Sequence, residues 1–415
     1  MHKLSFTALF FLAFLVCKAQ QPITTERDST KAQDSIKKEI FLNHLGNGFF
    51  PTKYFDFDLR YLIKYNQYEG LRTGLGGTTN NNLSEVYRFN TYVVYGFKDH
   101  RFKYGLGAWA RLHEATNTWL KIGYTDDLLE TGSAVFLTDS RVFQFFEPRL
   151  LNIDLFYKHI TQSIALQHDI TPRLHTETQL SVSNIQPAFN YVYASSEGII
   201  TEFELSKATL ALQWNPYSKE QDGHTIFSLQ ISQALKDVLK SDYGFTKVDF
   251  KTQYIKPWKN NSKTEVTLTS GIVNGSAPLT HLYHAYPNNI TKETILQRFS
   301  VAGLTSFETM YFNEFFSDKF STVQFKHFLK PFKISTRYQP QLVLVSKFAV
   351  GTMDNTERHL GIDFNTLDKG YFESGLELNK LFFGFGLSAA YRYGGYHLPK
   401  LEDNIALKFT FNITL

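Results

Sequence analysis

The chain has 415 residues and a formal net charge of +4, with 20% charged residues of both signs spread along its length, so no basic patch points to nucleic acid. Mean hydropathy is slightly negative at −0.25, and after the N-terminus no apolar run is long enough for a membrane helix, which excludes a helical membrane protein. Aromatic residues reach 16%, with 39 Phe and 23 Tyr; strands favour such side chains, and membrane barrels add girdles of them at both interfaces.

Met1-His2-Lys3 followed by an apolar run from Leu4 to Val16 and the small-residue step Cys17-Lys18-Ala19 reads as a secretory signal peptide over residues 1–19, cleaved after Ala19. Cys17 is the one cysteine, so the mature chain has no thiols, disulfides or Cys-built metal site. Phe14-Leu15-Val16 lacks the small residues that a lipidated cysteine wants before it. Residues 20–48 are polar and mixed in charge and read as a periplasmic tether or short plug; Asp34-Ser35 is placed to cap a short helix carrying Ile36, Ile40 and Leu45. Residues 49–415 then read as one architecture.

Phe55, Phe57, Leu59, Tyr61, Ile63 and Tyr65 alternate with polar residues and predict a continuous first strand, with only Leu62 out of phase. In the next segment Leu71, Thr73 and Leu75 face one way and Arg72, Gly74 and Gly76 the other; glycines on one face allow close approach or bending of a sheet. Residues 87–97 and 102–110 predict a third and fourth strand around the tight turn 98–101, which is expected at the short-turn end of a barrel. Further alternating runs cover residues 162–170, 174–182, 208–214, 245–255, 264–272, 341–350 and 381–393. Longer polar stretches at 125–152, 184–198, 274–297 and 351–361 are expected to be loops. The last run is the cleanest: Ile405, Leu407, Phe409, Phe411, Ile413 and Leu415 alternate with Ala406, Lys408, Thr410, Asn412 and Thr414. Such a run at the C-terminus suits the strand that closes an outer-membrane barrel, with Phe409, Phe411 and Leu415 as its assembly signature. The fold class expected is therefore all-β, a transmembrane antiparallel β-barrel of about 16 strands.

The segments 65–72 (Tyr-Asn-Gln-Tyr-Glu-Gly-Leu-Arg), 95–99 with 103–105, 313–320 (Asn-Glu-Phe-Phe-Ser-Asp-Lys-Phe) and 398–406 (Leu-Pro-Lys-Leu-Glu-Asp-Asn-Ile-Ala) resemble, in order and spacing, the DUF5686 family of Bacteroidetes outer-membrane proteins, whose barrel is similar to that of the Omp85 superfamily. The resemblance implies a transport-type barrel in the outer membrane of a Gram-negative bacterium, surrounded by lipid, inserted by barrel-assembly machinery and able to hold an envelope protein partner. The chain departs from the pattern by going from signal peptide to barrel without a carboxypeptidase-regulatory-like domain. It also lacks POTRA domains, and its long connection 274–305 lacks a Val-Arg-Gly-Tyr-like tip.

Arg60, Arg72, Arg88, Glu373, Glu377 and Arg392 fall on the polar side of their strands and are the candidate lumen residues, which either tune a water channel or pair and fill it. His168-Asp169 and the loop pair His281 and His284 come with no nucleophile motif or further ligands and read as surface or loop histidines. No phosphate-binding glycine loop opens a helix. The expectation is a barrel without enzyme activity, cofactor or metal, serving transport or channel function; the alternatives are a filled, partner-binding barrel and an outer-membrane hydrolase.

Overall fold

The computed structural model describes residues 38, 41–139, 149, 153–195, 198–216, 223–290, 300–335, 338–382 and 384–411. The signal peptide, most of the expected tether, and Leu415 lie outside the described residues. The chain divides into two units, Met1–Asn43 and His44–Leu415. Residues 41–46 are helical and include Leu45 of the expected short helix, whose Ile36 and Ile40 lie outside the described residues.

The second unit is a single antiparallel meander. A hairpin of β1 (Phe49–Pro51) and β2 (Phe55–Asp58) comes first, followed by β3 (Ile63–Asn66), β4 (Gly70–Thr79), β5 (Tyr87–Gly96), β6 (Arg101–His113), β7 (Thr118–Glu130), β8 (Phe156–Thr171) and β9 (Leu174–Pro187). Short β10 (Val192–Ser195) and β11 (Gly198–Ile200) interrupt the meander before β12 (Phe203–Trp214), β13 (His224–Ala234), β14 (Phe245–Pro257) and β15 (Lys263–Gly275). A long connection carries β16 (Pro287–Asn289), β17 (Ser300–Val301) and β18 (Phe307–Tyr311). The wall then resumes with β19 (Lys319–Phe328) and β20 (Gln341–Thr352), passes β21 (His359–Leu360), and ends with β22 (Leu367–Phe382), β23 (Phe385–Gly394) and β24 (Ile405–Phe411).

Each wall strand pairs with the next: β4 through β9 in turn, β9 with β12, β12 through β15, β15 with β19, β19 with β20, and β20 with β22 through β24. Both β2 and β3 pair with β4. Among the described residues no pairing joins β24 to β2 or β3; the outer edge of β24 instead takes a short parallel pairing with β17 at Lys408 and Phe409.

Alternation explains the two faces. Leu71, Leu75, Phe89, Val93, Leu106, Ile164 and Leu180 are exposed on the outside of the wall, and Ile405, Leu407 and Phe409 in β24, whereas Ala406, Lys408 and Thr410 are buried. An oily exterior over a buried polar interior is the inverse of a soluble sheet and the expected state of a wall whose solvent is lipid.

Four expectations need correction. The first strand is not continuous: Asp58 accepts a hydrogen bond from the backbone N–H of Arg60 and starts a 3-10 turn over Leu59–Tyr61, which breaks the alternation where Leu62 is out of phase. Tyr61 thereby stacks on the inward Tyr92, ring centroids 4.3 Å apart, instead of facing lipid. Gly76 leaves room for this pair, since a Cβ there would lie 2.4 Å from Tyr92 and 2.6 Å from Tyr61. Residues 125–130, expected in a loop, complete β7, and the run 381–393 contains the reversal between β22 and β23. Finally, antiparallel alternation places the turn 97–100 at the same end as the long connections 131–155 and 276–318, here called the loop end, and not with the short turns such as 114–117 and 172–173. Strands β7, β13, β19 and β22 add to the runs that alternation had picked out.

Candidate functional site

The site is the interior of the barrel, and among the described residues its main occupants are residues 276–290 and 300–318, in the connection between β15 and β19. Leu279, Leu282, Tyr283, Asn288, Phe307, Thr309, Met310, Phe315 and Phe316 are all buried. Within the connection β16 and β18 form a parallel pair. At the loop end its apolar side chains join inward residues of the wall, including Ile185, Leu205, Phe245 and Phe320, in one hydrophobic core. A core of this kind inside a membrane barrel fills it as a soluble domain would be filled.

Below that core the contacts become ionic. Glu308 of the connection lies 3.2 Å from Lys408 of the last strand and 3.7 Å from Lys347, and Lys347 lies 3.1 Å from Glu373. The second oxygen of Glu373 accepts from the N–H and hydroxyl of Thr309 at 2.7 and 2.6 Å. Asn288 donates to Glu308 at 2.8 Å, while Lys408 and Lys347 donate to the carbonyls of Asn288 and Ser306. Two carboxylates and two ammonium groups thus balance, nearly excluded from solvent, which is the condition under which buried charge is tolerable.

Nearby, Arg392 makes a fork-like contact with Glu314 of the connection at 3.0 and 2.6 Å. On the other flank Glu130 pairs with Arg149 at 2.5 Å and with His284 at 2.6 Å. His284 Nδ1 accepts the N–H of Tyr286, so a neutral ring with its proton on Nε2 satisfies both contacts. The Tyr286 hydroxyl bonds both the N–H and carbonyl of Ala134, tying two connections together. Ala285 and Tyr286 hold left-handed backbone, φ +54° and +55°, a strained pair that these contacts over-determine.

His281 and His284 lie in a long connection, as loop histidines, but they pack into the interior. His284 is buried at the Glu130 pair, and His281 packs between Tyr157 and Phe245. Burial, then the ammonium groups of Lys207 and Lys247 and the ring of His159, hold His281 well below the usual histidine range. His168 bonds Thr118, and Asp169 bonds His175, at the turn end.

The six candidate lumen residues fall into three situations. Arg72 grips Asp127 through two hydrogen bonds of 2.7 and 2.8 Å and leans on Glu69, while Tyr92 donates to the same Asp127. Glu373, Glu377 and Arg392 are buried and paired, Glu377 with Lys326 at 2.9 Å. Arg60 pairs with its neighbour Asp58 at 2.7 Å, and Arg88 donates to Ser84 and Asn81 near the turn end. Among the described residues none of the six pairs with another of the six; their partners come from the connection, from other wall strands up to three away, or from the same local segment. Glu308, Lys347, Lys408, Asp127, Glu130 and Glu314 were missing from the candidates, although Lys347 and Lys408 stand on the polar side of recognised strands. Phe409 faces outward as expected, and Phe411 packs on Phe385 with centroids 4.7 Å apart.

On the turn-end side of the Arg72–Asp127 contact the interior is not filled. A cavity of about 430 Å³ is lined by Asp58, Arg60, Asn90, Trp109, Lys121 and Glu177 among others. Gly77, Gly105, Gly107 and Gly123 pave its wall. A Cβ on Gly105 would meet the Tyr92 ring at 2.3 Å, and one on Gly107 would meet the Asn90 side chain at 1.9 Å.

No family model matches the sequence, and no curated protein matches it. Solved structures do. BamA from Haemophilus ducreyi lacking POTRA domains 1–3 aligns over 94% of this chain and 79% of its own, at 11% identity and a TM-score of 0.51. CdiB from Escherichia coli aligns over 84% of this chain and 60% of its own, at 9% identity and a TM-score of 0.50. The chain thus has the fold of an outer-membrane β-barrel, similar to those of BamA and CdiB.

Proposed function

We propose that the protein is a partner-binding outer-membrane barrel whose lumen is closed at rest by its own 276–318 connection, and that it acts on an envelope component rather than as an open diffusion pore. The observation that carries this is the buried Glu308–Lys347–Lys408–Glu373 cluster, which fastens that connection to three wall strands. A channel needs wet, unpaired lumen charges, whereas here they are spent on one another. Export through cleavage after Ala19, insertion by barrel-assembly machinery, residence in a Gram-negative outer membrane, membership of the DUF5686 family and the absence of enzyme activity or cofactor belong to the same reading. The test is isolation of the full-length chain from its native membrane in mild detergent after in-cell cross-linking. A stoichiometric envelope protein is expected to accompany it, and a chain recovered alone under every cross-linking chemistry would overturn the reading.

A second reading, gated transport, is favoured by one observation. Among the described residues the connection bonds the backbone of wall strands only at β17 and at Asp318, and that of other connections at Gly132, Gly244 and Asn365, so most of what holds it to the wall is side-chain contact that exchange of its ion pairs would loosen.

A further inference from the structure

The cavity at the turn end gathers, around one open volume, polar side chains that have no hydrogen-bond partner among the described residues. The charged groups elsewhere in the interior described above are paired, Arg72 with Asp127, Glu377 with Lys326 and Arg392 with Glu314. In the cavity, the amides of Asn90 and Gln179, the indole N–H of Trp109 and the hydroxyl of Ser163 make no side-chain hydrogen bond to another described residue. Inward-facing donors and acceptors of that kind need water or a ligand. The groups that are charged cancel in pairs: Lys121 lies 2.8 Å from Glu177, and Arg60 lies 2.7 Å from Asp58. An ionic ligand would have to break one of these pairs, but a neutral one would not.

Flat apolar surface is also present. Tyr61 and Tyr92 lie parallel at the cavity's upper edge and Trp109 lines its side, with Lys121 set 5.3 Å from the indole ring. Gly105 and Gly107, on the strand that carries Trp109, and Gly123 beside them keep that wall at backbone depth, and the volume of about 430 Å³ falls in the ordinary range of small-molecule sites. Aromatic faces take the C–H face of a sugar ring, and side-chain amides, which both donate and accept, match adjacent hydroxyls.

We propose that this cavity is a binding site for a neutral carbohydrate of disaccharide size, with Trp109 and Tyr61 as its apolar contacts and Asn90 and Gln179 as its principal hydrogen-bonding groups. The site does not depend on whether the barrel holds an envelope partner. The experiment is calorimetric titration of the full-length protein, refolded in a detergent without a sugar head group, with maltose, cellobiose and N,N′-diacetylchitobiose. Inorganic phosphate and glutamate serve as charged controls. Saturable binding of at least one disaccharide is expected, weakened about tenfold by either Asn90→Ala or Gln179→Ala. Trp109→Phe, which removes only the indole N–H and some ring area, should also weaken it, and heat-modifiable gel migration verifies that each variant is folded. Absence of saturable disaccharide binding at millimolar concentration, binding of the anions alone, or affinity unchanged in all three folded variants would overturn the proposal.

Discussion

Replacing Lys347 by methionine keeps the length and most of the volume of the side chain and removes one charge from the cluster that fastens the 276–318 connection. Lys347 is 3% exposed. Its ammonium group is the cationic neighbour of Glu373 Oε1 at 3.1 Å, and that oxygen has no well-aligned hydrogen bond of its own. The variant therefore leaves a buried carboxylate oxygen with nothing opposite it and shifts the cluster from neutral to a net negative charge. Removing one partner of a buried ion pair costs about 3–5 kcal/mol. The double variant Lys347→Met with Glu373→Gln restores neutrality while an amide oxygen can still accept from Thr309, so its cost falls to about 1–2 kcal/mol. The double variant should then be more stable than the single one, the sign of a coupled pair. Denaturant titration of refolded protein, followed by tryptophan fluorescence and gel migration, reads both values. A single variant with an unchanged midpoint, or a double variant no better than the sum of its parts, would refute the placement of Glu373 opposite Lys347.

Three further outcomes follow from other parts of the molecule. Phe409→Asp with Phe411→Asp puts charge on the outward face of β24 at a cost of about 2 kcal/mol or less per site, depending on depth, and should sharply reduce the outer-membrane level of the protein; normal levels on membrane fractionation would contradict the facing of that strand. Gly76→Val drives a side chain into Tyr61 and Tyr92 and should lower the unfolding midpoint, whereas Gly123→Ala, whose nearest contact would be 3.1 Å from the Ser163 hydroxyl, should cost far less; equal midpoints would contradict the close packing at Gly76. In the loop-end sheet of β10, β11 and β21, burial and then Arg358 push His359 down to about 4. The buried ring favours its neutral form, so this contribution, of about 3 kcal/mol, is complete above about pH 6.5 and lost as pH falls toward 4. Proteolysis of the loop end should therefore accelerate between those values in the native protein and not in His359→Phe; identical profiles would argue against it.

How much of this was legible in the sequence depends on what each residue answers to. The outer face of the wall answers to lipid, a uniform partner, so strict alternation such as Leu71, Thr73, Leu75 or Ile405, Leu407, Phe409 marks strands directly. Tyr61 answers instead to Tyr92 on another strand, and its inward turn is invisible to a periodicity that lists it with Phe55 and Phe57. The same holds for the interior. Arg72 and Arg392 announce charges that need partners, but Asp127 and Glu314 are their partners only because the fold brings distant segments together. Residues 274–297 read as a polar loop, and nothing in that reading places the connection inside the barrel; the clue lay in Leu279, Leu282, Tyr283, Met310, Phe315 and Phe316, too many large apolar groups for a segment left in water. His281 and His284, read as surface or loop histidines, are loop residues whose interior packing stays hidden, since a histidine's environment is set by what folds over it.

The most direct measurement of the closed lumen is single-channel recording of the full-length protein in a planar bilayer, beside a variant in which residues 277–316 are replaced by a short Gly-Ser linker. The wild type should stay silent and the variant should conduct in steady steps, because the removed segment carries both the apolar core and the Glu308 and Glu314 ion pairs. Steady porin-like conductance in the wild type would contradict a lumen closed by its own chain.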